Sequence, residues 1–493
     1  MKLSLALFAG PVLVKARRLL LLSLWLLCIP TALYLAWLKQ GYTLALLQMA
    51  LLAVAFIGLA IINAETLVVW YHHRNQRDNH IRGLIQSWVK GKKVSRGRSL
   101  GSSLPFVSVV VVAYLPNEQD IIEETLDHWL TQVNRPAAGW EVILAYNTPT
   151  YLPVEDRLRQ LAHQHPALVL LPVSRSRSKA ENLNAALKRV QGEMTCIFDA
   201  DHHPAPNCLN LAWAWLCGGD YDGVQGRNIV RNAGDNWLTH LIAIEFECIY
   251  GVSHYGRSLL ADTALFGGSN GYWRTAAIRS LGFFPMRLTE DIDATVRGLL
   301  KGYRLVHDPA ILTTELAPNS LRGLWLQRQR WSQGWLEVAW AYMDRIGRSP
   351  YLDSPQKTYW VLMLLFSQCF YPLVWQVVPM MLSINLSHVS RDLTFEHLNL
   401  AMMGLLTLST MFQVALAVKL RPDDCNYSRR HGVLYCVLSP VYFWLKVLIG
   451  IVAFYNHLCG SRVWHVTART QMSPQQLNLA LKPREKRYPV KSR

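Results

Sequence analysis

The chain shows two kinds of hydrophobic pattern, with long unbroken apolar stretches at its ends and short apolar runs in its middle. The unbroken stretches occupy residues 19–38, 44–62, 359–382, 400–418 and 433–458. A helix needs about 20 apolar residues to cross a hydrocarbon core about 30 Å thick. Each stretch is therefore long enough for a membrane helix, and the first two predict an N-terminal transmembrane hairpin within residues 1–70.

The first apolar stretch has a second interpretation, because Lys15, Arg17 and Arg18 precede it as they would in a signal peptide. No small-residue cleavage site follows, and the next apolar stretch begins almost at once. The pattern therefore favours two uncleaved membrane helices.

Between residues 105 and 340, short β-rich runs alternate with helical patterns. This alternation is typical of a parallel sheet covered by helices. The runs 106–114, 141–146, 168–173 and 194–198 are the clearest strands. Because ligands collect at the carboxyl ends of strands in open α/β sheets, the residues after these runs are the first candidates for chemistry.

Composition agrees with a membrane protein, since 51% of the residues are hydrophobic and 18 are Trp. The formal net charge of +17 could indicate nucleic-acid binding. However, much of it lies beside the apolar stretches, as in the group Lys90, Lys92, Lys93, Arg96 and Arg98. That placement fits anionic lipid headgroups and the positive-inside rule. We therefore expect a basic cytoplasmic linker at 71–104, a cytoplasmic middle region and no nucleic-acid partner.

The nine cysteines contain no C-x-x-C pair. Neither a zinc site nor a disulfide framework is indicated, as expected for a membrane protein facing a reducing cytoplasm.

Topology raises a conflict at the C-terminus. Three crossings after a cytoplasmic domain would place the basic tail outside, against the positive-inside rule. The stretch 433–458 contains Pro440 and Lys446, so we predict that it lies along the membrane or re-enters it. The alternative is an odd number of crossings with an external basic tail.

Two carboxylates follow directly after the strand 194–198, in the sequence Asp199-Ala200-Asp201-His202-His203-Pro204. Magnesium prefers a few carboxylates together with substrate phosphates, so this pair could bind a cation that holds a diphosphate. His202 is a candidate ligand, although a histidine beside such an acid is more often a hydrogen-bonded neighbour. An isolated Asp-x-Asp would more often be a solvated turn.

Further acids open the helical pattern 292–300, in the triplet Thr289-Glu290-Asp291. Helix capping alone explains acids at this position. As chemistry, a carboxylate here could accept the proton of an attacking sugar hydroxyl.

A basic and aromatic motif, Gln327-Arg328-Gln329-Arg330-Trp331, precedes the second apolar region. On its own it would be an interfacial helix with aromatic anchors. Its functional interpretation places Arg330 on a departing diphosphate and Trp331 under an acceptor sugar.

The order of these motifs, with Lys179 in the stretch 178–184 placed before them, resembles the processive family-two glycosyltransferases. Cellulose synthase, hyaluronan synthase and poly-N-acetylglucosamine synthase belong to that family. The resemblance covers residues 105–470, and the combination is specific although each motif is weak. It implies an α/β fold of the GT-A (Rossmann-like) type at 105–340, embedded between transmembrane helices. The flanking units would be 341–460, with interfacial and transmembrane helices, and 461–493, with a gating-loop-like motif and a basic tail.

The resemblance also implies roles for individual residues. Asp291, with Glu290 beside it, would be the catalytic base, and Asp201 would bind Mg²⁺ or Mn²⁺, with His202 as a second candidate ligand. The nucleotide-sugar would contact Asn147, Lys179, Asp199, Gln327, Arg330, Trp464, Thr467 and Arg469. The acceptor would contact Gly268, Ser269 and Trp331. The motif containing Trp464 would close over the nucleotide and must therefore face the cytoplasm.

One residue departs from the family pattern, because Asn147 stands where an acid usually contacts uridine. The motifs around Asp199 and Trp331 look closer to the curdlan and mixed-linkage β-glucan synthases than to hyaluronan synthase. They imply a hexosyltransferase in the plasma (inner) membrane that polymerises a β-(1,3) or mixed β-(1,3;1,4) glucan from UDP-glucose. Its partners would be the growing polysaccharide, the bilayer and accessory export proteins. The alternatives are another β-linked polysaccharide, a non-processive lipid glycosyltransferase, and a transporter or scaffold with a degenerate domain.

Overall fold

The computed structural model describes residues 23–76, 103–387, 393–422, 425 and 427–461. An eight-stranded sheet forms the centre of the chain. Its strands are β1 (Val107–Tyr114), β2 (Trp140–Asn147), β3 (Leu168–Pro172), β4 (Met194–Asp199), β5 (His203–Pro204), β6 (Gly223–Val230), β7 (Gly271–Arg274) and β8 (Leu305–Glu315). Long apolar helices precede and follow this central domain, as the hydrophobic pattern predicts.

The sheet has the strand order β3-β2-β1-β4-β7-β6-β8-β5. The first four strands pair in parallel, as predicted, but β7 runs antiparallel to both of its neighbours, and β5 runs antiparallel to β8. The sheet is therefore mixed, and the expectation of an all-parallel sheet is wrong in its second half. The prediction of an α/β GT-A domain is confirmed.

Strand β1 shows why these runs form a central sheet. Its sequence, VSVVVVAY, is buried at seven of its eight positions, and strands covered on both faces are almost continuously apolar. On one face, Trp129 and Phe198 pack with ring centroids 4.8 Å apart. This packing fixes the end of β4, where the paired aspartates begin.

Helices connect the strands of the sheet, and further helices precede and follow the sheet in the chain. Those before β6 are α1 (Ile29–Lys39), α2 (Ala45–Gln76), α3 (Leu115–Glu118), α4 (Ile122–Gln132), α5 (Val154–Gln164), α6 (Lys179–Leu187) and α7 (Cys208–Leu216). Those after β6 are α8 (Trp237–Phe246), α9 (His254–Ala261), α10 (Thr275–Leu281), α11 (Glu290–Leu300), α12 (Leu321–Arg348), α13 (Ser354–Trp375), α14 (Val377–Ser387), α15 (Leu393–Lys419) and α16 (Arg429–Leu458).

Four helical segments of the described chain are long and apolar enough to cross a membrane, namely Ala45–Asn75, Ser354–Ser387, Leu400–Lys419 and Arg429–Leu458. A shorter apolar helix covers Leu24–Lys39, and the beginning of the predicted stretch 19–38 lies outside the described residues. Helix α1 packs mainly on α14, and α2 packs mainly on α15. The two N-terminal helices are thus each held by a helix from the C-terminal region.

The stretch 433–458 is part of α16, a single helix that continues through Pro440. An interruption at Pro440 was one reason to predict that this stretch does not cross the membrane, but the helix is continuous there. Lys446 lies on this helix and its Nζ reaches Glu245 Oε1 at 3.2 Å, which explains how a lysine fits an otherwise apolar segment. That α16 lies along the membrane rather than crossing it stays a prediction.

A helical unit of the central domain forms the surface on which the apolar helices pack. It consists of α8, a π-helical segment (Glu247–Ser253) and α9. Its residues pack against α2, α15 and α16. Gly256 lets α9 lie very close to α2, because a Cβ at this position would lie 2.6 Å from the main-chain carbonyl oxygen of Glu65.

Candidate active site

A pocket opens at the carboxyl ends of β1 and β4. Strand order reverses here, since β2 and β3 lie on one side of β1 and β4 lies on the other. Ligands of open α/β sheets bind at such switch points. Of the predicted site residues, those lining the pocket are Asn147, Lys179, Asp199, Asp201, His202, Ser269, Glu290, Asp291, Gln327, Arg330 and Trp331.

Lys179 connects several of these groups. It is the first residue of α6, whose N-cap Ser178 accepts a hydrogen bond from the backbone N–H of Glu181. The Lys179 ammonium lies 2.5 Å from Asp199 Oδ1 and donates to the Gly268 carbonyl at 2.7 Å. A cation is therefore held at the end of β4, beside the carboxylates.

Gly268 closes the pocket opposite the base candidate. Its φ is +86°, and a Cβ here would lie 2.7 Å from Asp291 Oδ2. Only glycine combines this backbone conformation with so close an approach. Gly268, a predicted acceptor residue, thus lies against Asp291, while the next one, Ser269, accepts a hydrogen bond from the backbone N–H of Asp199 at 3.0 Å.

Asp291 has the electrostatics of a base that works near neutral pH. Burial and the neighbouring charge of Glu290 raise the pKa of Asp291 to about 7, although Lys179 and Arg330 act in the opposite direction. Its Oδ1 accepts a hydrogen bond from the backbone N–H of Ile292 at 2.8 Å, which orients the carboxylate. A pKa close to the working pH is the value that suits general base catalysis.

His202 is enclosed by acids. Its Nδ1 lies 3.2 Å from Asp201 Oδ1, and its Nε2 lies 2.8 Å from Glu315 Oε2. Hydrogen bonds to Asp201 and Glu315 raise the pKa of His202 to about 9, even though burial opposes the charged form. In this state both ring nitrogens carry protons, and His202 holds Asp201 in place.

The donor set suits a small divalent cation that also binds phosphate. Ligand atoms of Asp199, Asp201 and His202 lie within 4.8 Å of one another. Asp201 and Asp199 present carboxylate oxygens, which hard cations prefer. His202 could ligate through a ring nitrogen only by giving up Asp201 or Glu315, so the two aspartates are the better-suited donors.

The helix α12 brings the Gln-x-x-Arg-Trp motif to the pocket. Gly334 permits this, because a Cβ there would lie 2.3 Å from the Thr289 side chain. Two buried atoms of the motif, Gln327 Oε1 and Arg330 Nε, have no hydrogen-bond partner among the described residues. Unpaired buried polar atoms in a pocket indicate where a ligand binds.

Behind the pocket, a cluster of buried charges supports Trp331. The Arg328 guanidinium lies 4.2 Å from the centroid of the Trp331 ring and donates to Glu245 Oε2 at 2.7 Å. The same carboxylate accepts a hydrogen bond from Tyr442 at 2.7 Å and binds Lys446. We call these residues, namely Glu245, Arg328, Tyr442 and Lys446, the Glu245 cluster. It connects the motif helix to α16.

Asn147 follows β2, as predicted, but its side chain is occupied. Its Oδ1 accepts a hydrogen bond from Asn182 at 2.8 Å, and its Nδ2 donates to the Ser176 carbonyl at 3.2 Å. An acid does line this part of the pocket, namely Glu118 at the end of α3. No motif identified Glu118, although its position just after β1 was a usable signal.

Other pocket residues also escaped the sequence reasoning. They are Asn117, Arg177, Tyr250 and Glu315, together with residues 112–114 of β1. Tyr250 lies in the π-helical segment, a kind of irregularity that often occurs at functional sites. Trp464, Thr467 and Arg469 lie outside the described residues, so their predicted roles stay predictions.

Profiles of two related families match the chain. The profile of glycosyl transferase family 2 matches residues 108–281, and that of glycosyl transferase family group 2 matches residues 195–419. Both matches include the paired aspartates, and the second also includes the Thr-Glu-Asp triplet and the motif of α12.

Curated relatives match the central region. The chain is 27% identical over 248 residues to a probable glycosyltransferase, YdaM, of Bacillus subtilis, a match that covers 49% of this chain and 58% of the relative. It is 26% identical over 231 residues to the poly-beta-1,6-N-acetyl-D-glucosamine synthase of Staphylococcus aureus, covering 45% of this chain and 53% of the relative. The chain thus matches little more than half the length of these proteins.

A solved structure shares the fold over most of the chain. It is the mannosyltransferase PcManGT from Pyrobaculum calidifontis, in complex with GDP-Man and Mn²⁺, with a TM-score of 0.54 and 22% sequence identity. The similarity covers 84% of this chain and 100% of that one. At this identity the likeness shows the fold.

Proposed function

We propose that this chain, which matches profiles of two glycosyl transferase families, is an inverting family-two glycosyltransferase and acts as a processive hexosyltransferase of a β-linked polysaccharide. The product that we favour is a β-glucan with (1,3) or mixed (1,3;1,4) linkages, made from UDP-glucose. One observation carries the processive part of the proposal. Trp331 of the acceptor motif lines the same pocket as Asp199 and Asp291.

The donor would bind along the carboxyl ends of β1 and β4. In this proposal Glu118, Asn147 and Asp199 face the nucleotide, and Lys179 and Arg330 receive the negative charge of the diphosphate. Arg330 is suited to this because its Nε is buried and unpaired. Asp201, with Asp199 beside it, would hold Mg²⁺ or Mn²⁺. A bound cation supplies charge stabilisation to the leaving diphosphate.

The transfer would be a single displacement. Asp291 accepts the proton of the acceptor hydroxyl while that oxygen attacks the anomeric carbon from the face opposite the diphosphate. The configuration inverts, so an α-linked donor yields a β-linked product. Gly268 and Ser269 would position the acceptor against Asp291, and Trp331 would stack on a sugar ring, because aromatic faces provide flat apolar contact area.

The donor sugar has a second candidate. The 26% identity with a poly-beta-1,6-N-acetyl-D-glucosamine synthase favours UDP-N-acetylglucosamine, whereas the sequences around Asp199 and Trp331 favour UDP-glucose. Both sugars lead to the same chemistry at Asp291. The two donor sugars differ at the second carbon, where the pocket would accommodate either a hydroxyl or an N-acetyl group.

The proposal places the catalytic domain in the cytoplasm, with the polymer passing across the plasma membrane between the apolar helices. Four candidate membrane helices are available for this. Accessory export proteins are proposed partners on the far side.

A donor-choice experiment tests the proposal. Purified full-length protein in lipid nanodiscs would be given radioactive UDP-glucose, UDP-N-acetylglucosamine and GDP-mannose in turn, with Mg²⁺ or Mn²⁺. We expect a high-molecular-weight β-linked product from UDP-glucose, identified by gel filtration and linkage analysis. Polymer from UDP-N-acetylglucosamine alone would replace the glucan assignment with the second candidate. Transfer of single sugars to lipid, without polymer, would overturn processivity.

A further inference from the structure

A second cavity lies on the membrane-facing side of the catalytic domain, away from the acidic pocket. Its volume is 810 Å³, within the range of about 300–1,000 Å³ that is common for small-ligand sites. The walls come from the last turns of α2 and the end of α15, and from β6, β8 and α9 of the catalytic domain. It thus lies where two candidate membrane helices meet the central domain.

Three residues that line this cavity each carry a buried nitrogen atom without a partner among the described residues. Among the described residues, Arg227 Nε, His307 Nδ1 and Arg421 Nη1 have no hydrogen bond, and all three side chains border the cavity. Arg227 and His307 are only 4% and 2% exposed. Leaving such groups unpaired is unfavourable, so the three residues together mark this cavity as a candidate ligand site.

The charges of the cavity favour an anion. Arg227 is neutralised by an ion pair with Glu247, but among the described residues neither Lys419 nor Arg421 has an ion-pair partner. The acids that line the cavity have partners of their own. Asp262 binds Arg304 at 2.5 Å, and Asp308 accepts a hydrogen bond from Trp215 at 2.7 Å.

The two arginines are joined through the main chain. Arg227 Nη1 donates to the carbonyl of Leu420 at 3.0 Å, and Arg421 is the next residue. Two guanidinium groups are therefore brought to the same short segment at the end of α15. A guanidinium fork is well suited to phosphate oxygens.

His307 adds a requirement for a hydrogen-bond donor. Burial lowers the pKa of His307 to about 4, so the ring is neutral. Its Nε2 lies 2.8 Å from the carbonyl oxygen of Tyr250, and since a carbonyl only accepts, the ring proton is on Nε2. Nδ1 therefore carries a lone pair that has no partner among the described residues, and a hydroxyl of the ligand can satisfy it.

The position along the membrane helices matches the headgroup layer of a bilayer. The candidate span Leu400–Lys419 has 20 residues, which at about 1.5 Å per residue equals the hydrocarbon thickness. Lys419 thus ends the span, and Arg421 lies just beyond it. The helix from Ala45 to Asn75 has 31 residues, so its last turns extend past the hydrocarbon core to the cavity.

We propose that this cavity binds a phosphate ester that carries a free hydroxyl, the chemistry of a phosphoglycerol headgroup. Arg227, Lys419 and Arg421 hold the phosphate, and a glycerol hydroxyl donates to His307 Nδ1. A lipid headgroup reaches the cavity from the bilayer, and a soluble glycerol phosphate would reach it from water.

The cavity adjoins the catalytic pocket through one residue. The main-chain carbonyl of Tyr250 binds His307, while Tyr250 also lines the acidic pocket. Tyr250 belongs to the π-helical segment, and the next residue, Gly251, lines the cavity. A ligand bound in the cavity would therefore hold the π-helical segment, which forms one wall of the acidic pocket.

Lipid binding to the full-length protein tests the proposal. Native mass spectrometry in detergent would measure the retention of phosphatidylglycerol and, as a comparator, phosphatidylcholine. We expect wild type to prefer phosphatidylglycerol, and Arg421→Ala to bind it about fivefold less tightly, since one basic residue near a membrane surface contributes about 1 kcal/mol. The matched control is Arg429→Ala. Arg429 is exposed at the start of α16, so this variant removes the same charge outside the cavity.

A second variant tests the cavity without removing charge. Ala310 is exposed and lines the cavity, so Ala310→Trp should block it and reduce phosphatidylglycerol retention as Arg421→Ala does. Equal retention in wild type and both variants, or no preference over phosphatidylcholine together with no binding of glycerol 3-phosphate, would overturn the proposal. Binding of glycerol 3-phosphate without retention of lipid would support the phosphate site and assign it to a soluble ester.

Discussion

The acidic pocket and the Glu245 cluster lie on either side of Trp331, and they use buried charge in opposite ways. In the cluster, the Glu245 carboxylate binds Arg328, Tyr442 and Lys446. In the pocket, Gln327 Oε1 and Arg330 Nε are left unpaired, and Asp291 has a raised pKa. The difference teaches that the Glu245 carboxylate joins two helices through several partners, whereas in the pocket two polar side chains keep unpaired atoms beside a carboxyl of raised pKa.

The largest expected effect would come from removing the base. Asp291→Asn keeps the shape of the side chain but cannot accept a proton, so polymer synthesis should fall by about 10²–10⁴-fold. Donor binding, measured by calorimetry, should change little. Asp220→Asn makes the same chemical change at an exposed position and should behave as wild type. Full activity of Asp291→Asn would remove the base assignment.

Changing the cluster should affect stability rather than the chemical step. Glu245→Gln leaves the buried Arg328 and the half-buried Lys446 without an anion, and breaking a buried ion pair such as Arg328–Glu245 costs about 3–5 kcal/mol. Thermal unfolding in nanodiscs should show a clearly lower midpoint, while the donor KM of the folded fraction stays near wild type. Glu193→Gln, at an exposed site, should unfold as wild type does. If Glu245→Gln unfolded at the wild-type midpoint but lost activity, the cluster would belong to the reaction site rather than to the framework.

Removing the pocket arginine should affect the transition state. Arg330→Ala should lower kcat by about 10²–10³-fold, as for other preorganised groups that stabilise developing charge, with little loss of stability. The matched control on the same helix is Arg322→Ala, because Arg322 is exposed. Steady-state kinetics of UDP release would measure both variants. A large loss of stability in Arg330→Ala with normal kcat would place Arg330 in the framework instead.

The smallest effect concerns pH. Because the pKa of Asp291 is raised to about 7, the carboxyl is protonated and inactive as a base at lower pH. We expect kcat/KM to rise with pH up to about 7 and to fall about tenfold for each unit below it. Initial rates between pH 5 and pH 8 would measure this dependence. A flat profile down to pH 5 would show that the ionisation of Asp291 does not limit the reaction.

The sequence was sufficient for the parts of the fold that local pattern determines. Strands β1 to β4 begin and end within one residue of the predicted runs, because their apolar sequences are bounded by polar turns. The direction of β7 was not predictable in this way. Its four residues, Gly271–Arg274, carry no directional signal, and the pairing with β4 and β6 depends on the path of the chain through α8 and α9.

The same distinction applies to the site. Motif residues such as Asp199, Asp291 and Trp331 were found because their types and order are informative. Tyr250 and Glu315 were missed because each sits in a long buried segment, and only tertiary packing brings it to the pocket. His202 was recognised as a candidate beside Asp201, but its second carboxylate neighbour could not be read from sequence, since Glu315 lies more than a hundred residues away.

The ion pair between Lys446 and Glu245 also bears on how the protein is made. A lysine in an apolar helix makes insertion less favourable, by about 2.5–3.5 kcal/mol where it reaches the centre of the bilayer. Its partner lies 201 residues earlier in the chain, which at about 5–20 residues per second leaves about 10–40 seconds of translation between them. The central domain has therefore left the ribosome before α16 appears, and its carboxylate is available to receive the lysine. We therefore expect the central domain to serve as an assembly template for α16, the last helix among the described residues.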